Sequence, residues 1–218
     1  MRIVTAEGEM TRSNSIVRMA AHVISVVFHP LFIATYVTAF LLYVHPYVFS
    51  GFPEGLKFFR LVSVIFNTAF VPLFAVFLMW RLKLVESMML KTQKDRIIPL
   101  IIATIFYFWI MYVSNNLPEN PEIFSIFLKG SFIAVCVTWF FNIFFKISMH
   151  AVAIGAALTF FIYFSFTDSE PSGLYLAIVV LITGLVLTAR MIVSDHTPGD
   201  IYVGLFFGAL AQFVGFYV

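Results

Sequence analysis

Charge is what this sequence lacks most. Asp, Glu, Lys and Arg make up 11% of its 218 residues while 61% are hydrophobic, against about 25% charged and 45–50% apolar in soluble domains. A mean hydropathy of +1.00 agrees, and together these exclude an ordinary water-soluble domain. The net charge is only +2 and the basic residues form no solvated cluster, so nothing points to nucleic acid. Cys136, the single cysteine, lies in an apolar run, which excludes a disulfide framework and a thiolate metal site. The short alternating segments of a transmembrane β-barrel are missing too. So are internal repeats, low-complexity segments and linkers. What remains is an all-α, polytopic integral-membrane helical bundle in one domain, 1–218, whose neighbours are membrane lipids.

Long apolar runs are what the sequence has in plenty. About twenty apolar residues cross a bilayer as a helix, and seven stretches qualify: roughly 22–44, 61–80, 97–114, 123–145, 150–167, 174–190 and 201–218. Six or seven spans are therefore expected, the last stretch being short enough to end inside the interface. Residues 1–20 are mostly polar, and the apolar run after them is too long for a signal-peptide core, so it reads as a span that stays. The 28 Phe fit lipid-facing and interhelical packing.

The connections fall into two kinds. HPYVFSGFPEGLKFFR, NNLPENPE and TDSEPSG are built from turn formers. RLKLVESMMLKTQKDR, FFKISMH and ARMIVSDHTPGD hold seven of the other eleven basic residues. With seven spans the second kind all lie on one face, beside the N-terminus. LKTQKDRIIP, KISMH and ARMIVSDHTPGD can therefore meet in space although they are far apart in the chain.

ARMIVSDHTPGD is the most informative. Arg190, Asp195 and Asp200 at mid-bilayer would cost about 2.5–3.5 kcal/mol each, so they must line a wet pocket at the interface. Thr197 is a good N-cap, Pro198 suits the first helical position and Asp200 completes a capping box. The last helix then begins just after His196 and turns free N–H groups and its positive dipole end toward that ring, which favours an anion. In KISMH, Ser148 reads as an N-cap with His150 in the first turn and Lys146 just outside. Lys91, Lys94 and Arg96 precede Pro99, read as the first turn of the third helix. Helix N-termini, cations and two histidines on one face make a phosphate site. One His can attack phosphorus, an Asp can fix its tautomer, and the other His can protonate the departing oxygen.

Other polar residues read as structural. Asp95 and Asp195 read as partners of nearby cations. His29 reads as a hydrogen bond to a neighbouring helix beside a Pro30 kink, and His22 and His45 as interfacial. Lys129 reads as a snorkelling side chain, and Asn67 and Asn142 as interhelical hydrogen bonds.

Arg190, five residues, His196, three residues and Asp200 resembles the third signature of the type 2 phosphatidic acid phosphatase superfamily, which includes the vanadium haloperoxidases. Ile147-Ser148-Met149-His150 is similar to its second signature, Pro-Ser-Gly-His, at Ser and His. Its first signature is Lys, six residues, Arg-Pro. Here Lys91 and Lys94 stand five and two residues before Arg96, and Pro99 follows three residues later. The match runs over about 91–200 in the family's order. It departs in Met149 for Gly, in Ile147 for Pro, and in a helix pair between the first two motifs that compact members lack. Six spans are common in the family.

The resemblance implies that His196 is the nucleophile forming a phosphohistidine, that Asp200 orients it and that His150 is the general acid. Arg96, Arg190, Ser148 and one of Lys91 or Lys94 would hold phosphate, with no metal and no cofactor. The substrate would be a lipid phosphate or prenyl diphosphate. Transfer to an alcohol acceptor, and a non-catalytic lipid-phosphate binder or transporter, are the alternatives. Arg2, Arg12, Arg18, Arg81 and Lys83 on the site face, against Lys57 and Arg60 opposite, would make that face cytoplasmic by the positive-inside rule. The resemblance implies instead the outer, periplasmic face of a bacterial inner membrane, and that is the expectation adopted.

Overall fold

The computed structural model describes residues 6–90, 92–168, 172–193 and 196–218, and for 6–14 the backbone alone. Lys91 and Asp195 therefore lie outside the described residues. The described residues form α1 (Ala6–Val27), α2 (Pro30–Ala39), α3 (Glu54–Ile65), α4 (Val71–Arg81), α5 (Gln93–Asn115), α6 (Glu122–Asn142), α7 (Met149–Thr167), α8 (Gly173–Val193) and α9 (Pro198–Gly215), with π-helical turns at Phe40–Val44 and Phe66–Phe70 and no strand. This is an all-α, multi-pass membrane bundle.

Five helices are long and apolar enough to cross a bilayer: Glu54–Arg81, α5, α6, α7 and α8. A sixth span is the pair Ser15–Val27 and Pro30–Val44, bent by 61°. The seventh apolar stretch is α9, an 18-residue helix that falls short of this measure because Asp200 and Gln212 interrupt it. The first stretch is broken rather than continuous. Pro30 stands at the start of α2 and His29, in extended geometry, caps it, since the residue before a proline avoids the α region. Helix also extends back to Ala6, through the polar segment.

Two turns of the same grammar start the site-face helices. Thr92 and Asp95 form a capping box at α5, and Thr197 and Asp200 form one at α9. Asp95 is thus engaged with its own helix end. Pro99 lies in the second turn of α5 rather than the first. Asn142 behaves as expected: it donates to the Gln93 carbonyl at 2.9 Å while Gln93 donates back at 3.3 Å, pinning the end of α6 to the start of α5. Asn67 does not, because its amide bonds within its own helix to the Ser63 carbonyl at 2.8 Å, beside the acceptors that the π-turn frees.

α7 is the central helix, in contact with α2, α6, α8 and α9. Its longest contact is with α9, where backbones approach through small residues, as membrane helices do. A β-carbon at Gly208 would collide with the Val152 carbonyl, and one at Gly155 with the Leu205 carbonyl. That approach sets the first turn of α7 beside the turn before α9.

The ends of the bundle differ. At the end away from the basic connections, His45 follows the first span and is 4% exposed. Its Nε2–H donates to Asp168 at 2.9 Å and its Nδ1 accepts from the Val48 N–H at 3.2 Å. Arg60 pairs with Glu119 at 2.6 Å. Below them phenylalanines fill the core, with Phe127 against Phe160 and Phe40 against Phe161, both at 5.0 Å.

Gly208→Val should drive α7 and α9 apart. We expect a loss of about 1–3 kcal/mol from overpacking, read as a lower melting temperature in detergent, with Gly184→Val, where a β-carbon meets open space, as the near-neutral control.

Candidate functional site

At the basic end, α2, α4, α5, α6 and α7 enclose a cavity of about 340 Å³ whose mouth is lined by His29, Arg96, His150, Arg190 and His196. No carboxylate lines it among the described residues. Two guanidinium groups and four imidazoles, His22 included, with no acid among the described lining residues favour an anion.

Arg96, from the first turn of α5, is 6% exposed. Its Nε donates to the Leu90 carbonyl at 2.8 Å, whereas its buried Nη1 has no hydrogen-bond partner. A buried guanidinium with donors not taken up by the protein is a ready partner for the oxygens of an anion. Leu90 has φ +47°, a left-handed backbone that costs a branched side chain energy. It turns its carbonyl onto Arg96. Such strain gathers at functional sites.

His196 sits in the turn between α8 and α9 with its side chain 5% exposed. Its Nδ1 lies 3.1 Å from the Lys146 carbonyl, which can only accept, so Nδ1 carries the proton and Nε2 the lone pair. The expected orienting carboxylate is farther away. Asp200 Oδ2 is 3.9 Å from Nδ1, long for a hydrogen bond, and accepts from the Thr197 N–H at 2.8 Å. Asp200 thus holds the helix start and adds negative charge nearby, while the backbone before α7 orients the ring. Burial first, then the charges of Arg96, Arg190 and Lys146, push the His196 pKa down to about 4 against the opposing pull of Asp200. The ring stays neutral and nucleophilic through the physiological range.

His150, in the first turn of α7, donates Nε2–H to the Ser25 carbonyl at 3.0 Å, which leaves its lone pair on Nδ1. Its other neighbour is His29, ring to ring at 5.4 Å and 78°. His29 was read as structural, and it does cap α2 through Nδ1, which accepts from the Leu31 N–H at 3.4 Å. That contact places the proton on Nε2 and the ring in the cavity wall. Sequence reasoning missed its membership. The available signal was the His-Pro pair, which breaks a helix at the depth of the motif connections.

The remaining expected ligands divide. Arg190, in the last turn of α8, lines the cavity. Ser148 is the N-cap position of α7 but makes no side-chain capping bond, and it is fully buried outside the cavity wall. Lys94 is exposed and also outside it. Lys146 contributes its carbonyl and its nearby charge. Lys91 falls among the residues not described. No group of three metal-ligating side chains occurs among the described residues.

Comparisons with protein-family models, with curated proteins and with solved structures found no match. The functional reading therefore rests on the residues themselves.

The depressed pKa of His196 has a consequence for stability. The unfolded chain holds this ring at its ordinary value, 6.5, so it takes up a proton before the folded protein does. This contribution to stability is intact above about pH 6.5 and is lost as pH falls toward about 4. Thermal melting in detergent should fall across that window in the native protein and more shallowly in His196→Asn. Parallel profiles would contradict the assignment.

Proposed function

We propose that this protein is an integral-membrane phosphatase that hydrolyses a lipid phosphate or prenyl diphosphate through a phosphohistidine, without metal or cofactor. The reading is the one implied by its resemblance to the type 2 phosphatidic acid phosphatases. The observation that carries it is the convergence of His196, His150, Arg96 and Arg190 on one cavity that no acid lines among the described residues, with the Nδ1 of His196 held on the Lys146 carbonyl so that Nε2 carries the lone pair.

Arg96, Arg190 and the His29 Nε2–H bind the phosphoryl oxygens and neutralise charge that grows there in the transition state. The anion's arrival beside His150 lets that ring take a proton at Nδ1, its Nε2–H remaining on Ser25. His196 Nε2 then forms a bond to phosphorus as the bond to the leaving oxygen breaks, and His150 gives its Nδ1 proton to that oxygen. Lys146 keeps the Nδ1–H of His196 through its carbonyl and so stabilises the cationic phosphoimidazole. Next, His150 Nδ1 takes a proton from water, the resulting oxygen bonds to phosphorus, the P–N bond breaks, and His196 returns to its starting tautomer. A mouth at the membrane surface suits a substrate whose tail stays in the apolar phase. We place the protein in a bacterial inner membrane with the site on the outer face.

Purified protein should release phosphate from at least one of phosphatidate, phosphatidylglycerophosphate, a prenyl diphosphate or lipid A phosphate, measured as free phosphate. His196→Ala should reduce that turnover below detection. His150→Ala and Arg96→Ala should each lower kcat by about 10²–10³-fold. Lys94→Ala and Ser148→Ala, outside the cavity wall, should stay within about twofold of the native rate. Full activity in His196→Ala would end the mechanism. Binding without release of phosphate from any substrate would favour a binder or transporter.

A further inference from the structure

The cavity does not stop at its charged mouth. On α5 its wall runs from Arg96 past Ala103 to Tyr107, 11 residues or about 16 Å of helix. That is half the roughly 30 Å hydrocarbon core. On α7 the wall runs from His150 to Ala157, and on α6 from Thr138 to Phe127. The deep wall is mainly alanine, valine and leucine. Its floor is Tyr107 and Phe127, the latter resting on Phe160. Protein interiors rarely hold voids much larger than a water molecule, and phenylalanines pack against one another toward the opposite end of this bundle. Here small residues keep the centre hollow.

The rim is equally distinctive. Val26, Leu73 and Met89 border the cavity and are 54%, 46% and 72% exposed. They belong to the end of α1, to α4 and to the connection before α5, where the chain faces lipid. α2 packs on α3 and the π-turn Phe66–Phe70, whereas α4 packs on α5. The cavity reaches the lipid side between them.

We propose that the chamber below the mouth houses one hydrocarbon chain of the substrate, so that the protein acts on single-chain lipid phosphates in preference to two-chain ones. The proposal rests on the phosphate reading of the mouth. A chain slides from the bilayer past Val26, Leu73 and Met89, its phosphate at Arg96 and Arg190 and its tail against Ala103 and Ala157. The depth matches the chain that one leaflet supplies. A volume of about 340 Å³ lies at the low end of small-molecule sites, about 300–1,000 Å³, room for one chain rather than two. Because the tail leaves one apolar phase for another, the chamber confers selectivity by shape more than affinity.

The test uses the full chain in nanodiscs with Cys136→Ser, so that Ala103→Cys carries the single thiol, and follows its modification by N-ethylmaleimide. Dodecylphosphonate should slow modification at least tenfold and butylphosphonate less than twofold, while both raise the melting temperature through the mouth. A two-chain didodecyl glycerophosphonate should protect at least tenfold less well than dodecylphosphonate at equal mole fraction. Melting shifts without protection by dodecylphosphonate would overturn the chamber and leave the phosphate site standing. Equal protection by the two-chain compound would overturn the single-chain preference. No melting shift with any phosphonate would overturn the phosphate reading and this proposal together.

Discussion

The backbone contact between α7 and α9 is the constraint on which the rest depends. Glycines stand where any side chain would strike a carbonyl, so the two helices come closer than leucine-lined helices can. Their first turns are brought side by side as a result. The carbonyl of Lys146, left outside α7, then reaches the ring of His196, which stands outside α9. One hydrogen bond thereby joins two connections 50 residues apart and selects the ring nitrogen that can act. In lipid, where helices gain little from hiding apolar surface from each other, such close packing is the main source of specificity.

A bundle of this composition has to gather its polar groups or satisfy them locally, since the bilayer offers them nothing. Both solutions occur, at opposite ends. Away from the site, His45 bonds through both ring nitrogens to Asp168 and backbone N–H groups, and Arg60 pairs with Glu119. There each of these basic side chains meets an acid. At the site, Arg96, Arg190 and the histidines line the cavity with no acid among the described residues. That difference in charge balance sets the basic end apart as the one suited to an anion.

Much of this was legible in the sequence, and its limits have physical causes. Apolar length fixed the helices, and parity placed the three basic connections on one face, because each is separated from the next by an even number of crossings. Thr197, Pro198 and Asp200 announced the start of α9. The same Thr-x-x-Asp grammar starts α5 at Thr92 and Asp95, so that Pro99 falls a turn deeper, where a membrane helix tolerates proline. Asp200 was expected to orient His196, but its Oδ2 is drawn onto its own helix N-terminus and stands 3.9 Å from the ring. A backbone carbonyl does that work, and no residue type announces a carbonyl. His29 was legible as a helix break but not as part of the cavity wall, since which way a 61° bend turns a side chain depends on tertiary packing. The hollow beneath the mouth was invisible for a similar reason: alanine lines chambers and close contacts alike.

The claim at the centre is that His196 Nε2 becomes bonded to phosphorus. The most direct measurement is to quench turnover of a ³²P-labelled lipid phosphate in alkali and map the label. The account predicts an alkali-stable, acid-labile phosphoryl group on His196 that is missing from the His196→Ala protein. Rapid release of phosphate with no label on that ring at any quench time, or label on a serine or aspartate instead, would contradict it.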